Sequence, residues 1–141
     1  MKKIIVNVAL DDGAYPLERA HPTDAGADIR TPADVEVPAH GSMVIRTGVH
    51  VELPGGCAGV IQPKSGLNVK HDILSFGLID EGYTGEVVVK LYNLGDTPCL
   101  LSRGSKVSQL VIQEVAYCGF RVVESIAGGP RADGGFGSTG D

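Results

Sequence analysis

The sequence predicts an all-β fold, a sandwich, jelly roll or barrel, on three observations. Short runs rich in β-branched residues recur along the chain. Gly, Pro, Asp and Asn punctuate them at roughly 8–12 residue intervals. No segment keeps a helical period for more than a couple of turns, so at most one short helix is expected. The 141 residues suit one domain with a modest core, and 43% hydrophobic and 21% charged content is ordinary for a globular chain.

The elements follow in order. Residues 3–10, KIIVNVAL, form a β-rich run ended by Asp11, Asp12 and Gly13. This start is too short for a membrane span and lacks a small-residue cleavage site, so it reads as a strand and not a signal peptide. DAGADI, 24–29, reads as a small-residue turn flanked by Asp24 and Asp28. Residues 34–38 alternate and stop at Pro38, 43–54 form a long β-branched strand, and 59–63 follow. SGLNVKHD, 65–72, is the one helix candidate, with Ser65 placed to cap its first turn. Gly77 to Ile79 lie in or near a strand that leads to Asp80. Residues 85–96 make the best-defined strand, and 106–116 and 119–125 complete the series. The final stretch, GGPRADGGFGSTGD, has Phe136 as its one large apolar group and cannot offset its own ordering entropy. The chain therefore divides into a β domain, 1–127, and a flexible tail, 128–141.

Charge and cysteine usage narrow the function classes. A net charge of −5 argues against a broad nucleic-acid-binding face, and nothing points to a membrane. A phosphate ligand must then be held by a few placed cations. Cys57, Cys99 and Cys118 are odd in number and lack metal-type spacing, which fits reduced thiols and a cytoplasmic location, or a host cytosol for a viral chain. His21, His40, His50 and His71 show no zinc spacing and read as surface or satisfied residues.

Several polar, glycine-containing segments carry candidate chemistry. Asp28 is either a turn residue or the holder of a hydrated divalent cation. PKSGL, 63–67, puts Lys64, Ser65 and Gly66 where an anion would find N–H groups, a hydroxyl and a positive charge. In GLIDEGYTGEV, 77–87, Asp80 is placed to orient a water as general base, and Tyr83 offers a flat ring for a sugar or base. The plain alternative is a hairpin with a polar turn and a packed tyrosine. Lys106 and Gln109 lie around the start of a strand and, taken alone, read as an exposed lysine and an edge glutamine. In the tail, Arg131 can grip a phosphate bidentately, Phe136 can stack on a base, and the glycines let N–H groups approach phosphate oxygens. Together these parts suit a nucleotide polyphosphate.

DAGADI, PKSGL, GLIDEGYTGEV, SKVSQL and RADGGFGSTG occur in the order of the five motifs of trimeric dUTP diphosphatases, and the chain resembles that family from about residue 22 to 140. The resemblance implies a jelly-roll-like distorted barrel, a homotrimer with active sites shared between subunits, dUTP as substrate, dUMP and pyrophosphate as products, and Mg2+ as cofactor. Asp80 would orient the attacking water. Tyr83 would pack on the deoxyribose and exclude a 2′-hydroxyl. The hairpin before Asp80, with Ser75, Phe76, Gly77 and Ile79, would read the uracil edge. Asp28 would hold the magnesium shell through water, and Lys64, Ser65, Gly66, Lys106 and Gln109 would meet the phosphates. Arg131, Gly137, Ser138 and Thr139 would close on the γ-phosphate end, with Phe136 over the uracil.

The chain departs from the family pattern in two ways. Lysine stands at 64 and 106 where arginine is usual, which keeps the charge and loses the bidentate fork. The stretch NVKHDILSFGLID is about three residues shorter than the common pattern, so the uracil-reading segment must be built differently. The rival deaminase of the same fold would use a glutamate ten residues beyond the motif's aspartate, and this chain has Lys90 there. A nucleotide-gated regulatory binding protein is the alternative of another class.

Overall fold

The computed structural model describes residues 4–135 and 137. Its strands are β1 (Asn7–Leu10), β2 (Gly26–Arg30), β3 (Val35–Val37), β4 (Ser42–Glu52) and β5 (Cys57–Gln62). After the short helix α1 (Ser65–His71) come β6 (Ile73–Leu74), β7 (Gly77–Ile79), β8 (Glu86–Asn93), β9 (Cys99–Leu101) and β10 (Lys106–Glu114). All named strand pairs are antiparallel. One four-stranded sheet runs β1-β4-β8-β6, a second runs β2-β10-β5-β7, and β3 pairs with β9. The all-β class with one short helix is as the sequence predicts, although the described sheets are open and do not close into one barrel.

The core lies between the two larger sheets. In β8 the side chains alternate, with Val87, Val89, Leu91 and Asn93 inward and Val88 and Lys90 outward. Ile45, Val49 and Val51 of β4 meet Ile29, Ile61, Val107 and Leu110 of the other sheet in one apolar cluster. Each such aliphatic side chain contributes about 1.5–3 kcal/mol on burial. Buried polar groups are satisfied. Asn93 donates to the carbonyls of Val37 and Thr97 and accepts the N–H of Gly95. Thr47 donates to the Val87 carbonyl and accepts the Val49 N–H where the β4–β8 register slips between Arg46 and His50. Gly48, at φ 71°, makes that bulge without side-chain strain.

Four expectations need correction. DAGADI is not simply a turn: Gly26–Arg30 is a largely buried edge strand of the second sheet, and only the stretch around Asp24 turns. Residues 119–125 form no strand, because no strand of this chain lies beside them, and Phe120 and Val122 stand almost fully exposed. Ser65 does not cap α1. Lys64 is the extended N-cap residue, with no side-chain capping bond. The segment before Asp80 is not a hairpin either. β6 pairs with β8 and β7 with β5, in different sheets, and only Ser75 and Phe76 join them. A two-residue hairpin needs residues that accept positive φ, and Ser-Phe supplies none.

Candidate active site

Strand order in the second sheet gathers the first, second and fourth candidate segments. Gln109 of β10 faces Asp28 on one side and Gln62 on the other, so β2, β10 and the end of β5 present their polar residues together. Asp28 is buried, and its two carboxylate oxygens divide between two cations. Lys64 Nζ lies 2.5 Å from Oδ1 and Lys106 Nζ 3.0 Å from Oδ2. Burial alone would raise the Asp28 pKa, but the hydrogen bonds and charges of both lysines outweigh it and hold the carboxyl below its ordinary value. The lysine heads stay partly open to solvent. The cluster thus carries a net positive charge, two ammoniums over one carboxylate, at the mouth of α1 where Ser65 and Gly66 are exposed. Gln109 is fixed in this group by donating from Nε2 to the Pro63 carbonyl at 2.9 Å.

The second group surrounds Asp80, which is exposed just beyond β7. Two clefts meet there. The larger, about 570 Å³, runs past Val60, Leu78, Val115 and Tyr117. The smaller, about 260 Å³, is bounded by Ile79, Tyr83, Glu86 and Val88. Tyr83 is half-exposed, and its hydroxyl donates to the Glu86 carbonyl at 2.8 Å. Gly85 gives the ring room, since a Cβ there would fall 2.5 Å from the Tyr83 hydroxyl. Glu86 accepts from Arg46 and from the Gly48 N–H, which ties this loop to the β4 bulge.

The residues expected to read a base are divided by this geometry. Ser75 is buried. Because Ser108 Oγ donates to the Gln62 carbonyl, Ser75 Oγ is the donor in its 2.8 Å bond to Ser108. Phe76 is exposed and stacks on Tyr92 at 5.4 Å, with Lys90 over the other ring. Gly77 lies on the open edge of β7, whereas the Ile79 side chain belongs to the core, leaving its backbone alone for contact. Arg131 closes a turn by donating from Nε to the Gly134 carbonyl at 2.7 Å. Gly137 has φ 91°. Phe136, Ser138 and Thr139 lie outside the described residues.

The two groups are far apart within one chain. β7 pairs with β5 at Ile79↔Gly59, which sets Asp80 beside Ala58, while Lys64 lies beyond the opposite end of β5. At strand rise the separation is about 15–20 Å. A water oriented by Asp80 therefore cannot also touch phosphates held by Lys64 and Lys106 of the same chain.

Among the described residues, no three His, Cys, Asp or Glu side chains converge to hold a metal ion. Asp28 has both oxygens engaged by lysines. This donor set does not fit a cation held by protein ligands alone. It would fit a hydrated magnesium that enters with a phosphate-bearing ligand.

Two further contacts gave no signal in the sequence: Glu81 accepts from the Tyr117 hydroxyl, and the Thr84 carbonyl meets His50, and both of these partners lie far along the chain and outside any motif.

A profile of the dUTPase family matches residues 14–140. The deoxyuridine 5′-triphosphate nucleotidohydrolase of Thermobifida fusca is 43% identical over 134 residues, covering 92% of this chain and 75% of that protein. That of Gloeothece citriformis is 37% identical over 134 residues, covering 93% and 92%. Among solved structures, the dUTPase of Staphylococcus bacteriophage 80alpha with dUPNHPP superposes with a TM-score of 0.88 at 27% identity, over 99% of this chain and 100% of the other. The dUTPase of Staphylococcus aureus phage phi11, described for its coordination of a structural Mg(II) ion, gives 0.78 at 27% identity, over 86% and 98%.

Proposed function

This chain belongs to the dUTPase family and is an enzyme that hydrolyses dUTP, and we propose that it works as a homotrimer with each active site shared between copies. The products are dUMP and pyrophosphate, formed by water attack at the α-phosphorus. The observation that carries the shared site is the separation of Asp80 from the Lys64–Asp28–Lys106 cluster along β5. A second copy brings its lysine end to the first copy's Asp80 end. The exposed apolar residues Phe120, Val122 and Ile126 of the C-terminal arm support assembly, because such residues gain stability by being covered.

Asp80 orients the attacking water and takes its proton as general base. Tyr83, braced by the Glu86 carbonyl and Gly85, packs on the deoxyribose and leaves no space for a 2′-hydroxyl. Lys64 and Lys106 hold the phosphates from positions set by Asp28, whose buried carboxylate aims both ammoniums. Ser65, Gly66 and Gln109 add donors at the same end. Magnesium bound with the triphosphate at the Asp28 end would supply charge neutralisation. The tail from residue 128 to 141, through Arg131 and the glycines, closes over the nucleotide, excludes bulk water and fixes it for in-line attack. With no hairpin between β6 and β7, base contacts fall to the open edge of β7 at Gly77 and Leu78.

The test is a product assay with magnesium, offering dUTP, dCTP, dTTP and UTP separately to the wild-type chain and to Asp80→Asn. Conversion of dUTP alone to a monophosphate and pyrophosphate, lost in Asp80→Asn with nucleotide binding retained, is the expected result. Full activity in Asp80→Asn would overturn the assignment of the base. Cleavage or deamination of dCTP would widen the substrate range, and binding of dUTP without turnover would favour the regulatory alternative.

A further inference from the structure

The turn that carries Asp80 is held by a contact the mechanism above does not use. Glu81 follows Asp80 directly, and its Oε1 accepts two hydrogen bonds, from the Gly56 N–H at 2.7 Å and from the Tyr117 hydroxyl at 2.7 Å. The donors come from distant parts of the chain. Gly56 forms the tight turn between β4 and β5, at φ 81°. Tyr117 stands just past the end of β10, where the C-terminal arm leaves the body. The Gly56 carbonyl in turn accepts the Val115 N–H at 2.8 Å, so the three segments form a closed ring of hydrogen bonds. Hydrogen bonds to the charged form strengthen this acceptor. The Gly56 and Tyr117 contacts hold the Glu81 carboxyl below its ordinary value, and Glu81 in turn raises that of the Tyr117 hydroxyl.

The far end of this loop is tied down by the Tyr83, Glu86 and Thr84 contacts, but little else fixes the end that carries Asp80. β7 is a three-residue edge strand, and the turn's own backbone bond, from the Tyr83 N–H to the Asp80 carbonyl, is 3.2 Å. Among the described residues no hydrogen bond orients the Asp80 carboxylate itself. Its direction is therefore set by the backbone, and the backbone is tethered next door, at Glu81. The Glu81–Tyr117 contact also forms one wall of the larger cleft at Asp80.

We propose that Glu81, held by Gly56 and Tyr117, is a positioning residue for hydrolysis: it fixes the Asp80 turn, and through it the aim of the general base. The inference rests on the reading of Asp80 as that base. It also couples the root of the C-terminal arm to the catalytic turn, because Tyr117 is the donor that the arm contributes.

The experiment is steady-state kinetics on dUTP with full-length Tyr117→Phe, Glu81→Ala and Glu81→Gln, beside the wild type and Asp80→Asn, with melting temperatures for each. Tyr117→Phe and Glu81→Ala should lower kcat by about tenfold or more, since small misplacements of a reacting group are costly, while KM stays within about twofold. Glu81→Gln keeps an acceptor oxygen at the same place and should recover most of that loss. Tyr117→Phe removes one hydroxyl from an exposed ring, so it separates positioning from folding even where Glu81→Ala is unstable. The inference is overturned if kcat is unchanged in both Tyr117→Phe and Glu81→Ala, or if Glu81→Gln is as impaired as Glu81→Ala. An inactive wild type, or a fully active Asp80→Asn, would instead remove the reading on which it rests.

Discussion

Gly26 lies so close beneath the side chain of Gln109 that a Cβ at that position would come within 2.3 Å of Gln109 Oε1 and 3.0 Å of its Cβ. The glutamine cannot simply swing aside, because its amide donates to the Pro63 carbonyl and its Cβ belongs to β10. Gly26→Ala should therefore lower stability by about 1–3 kcal/mol, as overpacking does. It should also raise KM for dUTP by displacing Gln109 from the phosphate end. Thermal denaturation in the Gln109→Ala background checks the cause: part of the Gly26→Ala penalty should disappear there, and an undiminished penalty would place the clash elsewhere.

The Asp28 pair of ion bonds predicts an acid limb. Asp28 has a folded-state pKa below its unfolded value, so its contribution is present above the unfolded value and is lost as pH falls through the folded one. Asp28→Asn should flatten this limb. At neutral pH it should cost about 1–3 kcal/mol, less than for a fully buried pair because both lysine heads reach solvent. Denaturant titrations of both proteins across acidic pH would show it, and superimposable limbs would refute it.

His50 predicts a second pH effect, of opposite sign. Its Nδ1 faces the Thr84 carbonyl at 3.0 Å and its Nε2 faces the Asp11 carboxylate at 3.1 Å, so both ring nitrogens meet acceptors. The Thr84 bond and then the Asp11 bond raise the pKa, with the nearby Glu86 adding to them. The folded value lies above the unfolded one, so the stabilisation is complete below the unfolded pKa and fades as pH rises through the folded pKa. The gap in melting temperature between wild type and His50→Gln should be wider near pH 6, about the ordinary histidine range, than above it. A gap that does not narrow with rising pH would contradict this.

Removal of the tail should separate folding from turnover. Among the described residues the apolar core contains none beyond Ile112, so a chain ending at Gly129 should fold and melt close to the wild-type temperature. Its turnover of dUTP should fall by about a hundredfold, the scale on which loss of substrate positioning acts. An unfolded product would make the tail structural, and an unchanged rate would make it dispensable.

The sequence was most legible where one strand had two distinct faces. The alternation of Val87, Val89 and Leu91 with Val88 and Lys90 announces β8 without help from the rest of the chain. β2 was hidden because Gly26 and Ala27 look like turn residues. Gly26 is small for a tertiary reason, the glutamine lying over it, and that reason sits on β10. Residues 119–125 failed in the opposite sense. Phe120 and Val122 have strand periodicity, but periodicity does not supply a neighbouring strand, and this chain places none beside them. At the candidate site the order of the polar segments was readable. What was not readable was that β2, β10 and β5 lie side by side and so bring Asp28, Lys106, Gln109 and Lys64 together. Contacts such as Tyr117 to Glu81, 36 residues apart, carry no local signature at all.

The length of β5 has a genetic consequence. A chain lacking the Asp80 carboxylate and a chain lacking the Lys64 ammonium are damaged at opposite ends of the same strand. In a ring of three where neighbours complete each other's sites, a mixed ring contains one place where both undamaged ends meet. Two inactive proteins, unfolded and refolded together in equal amounts, would then recover about a quarter of normal turnover. Two defective alleles in one cell would complement each other, although neither supports hydrolysis alone.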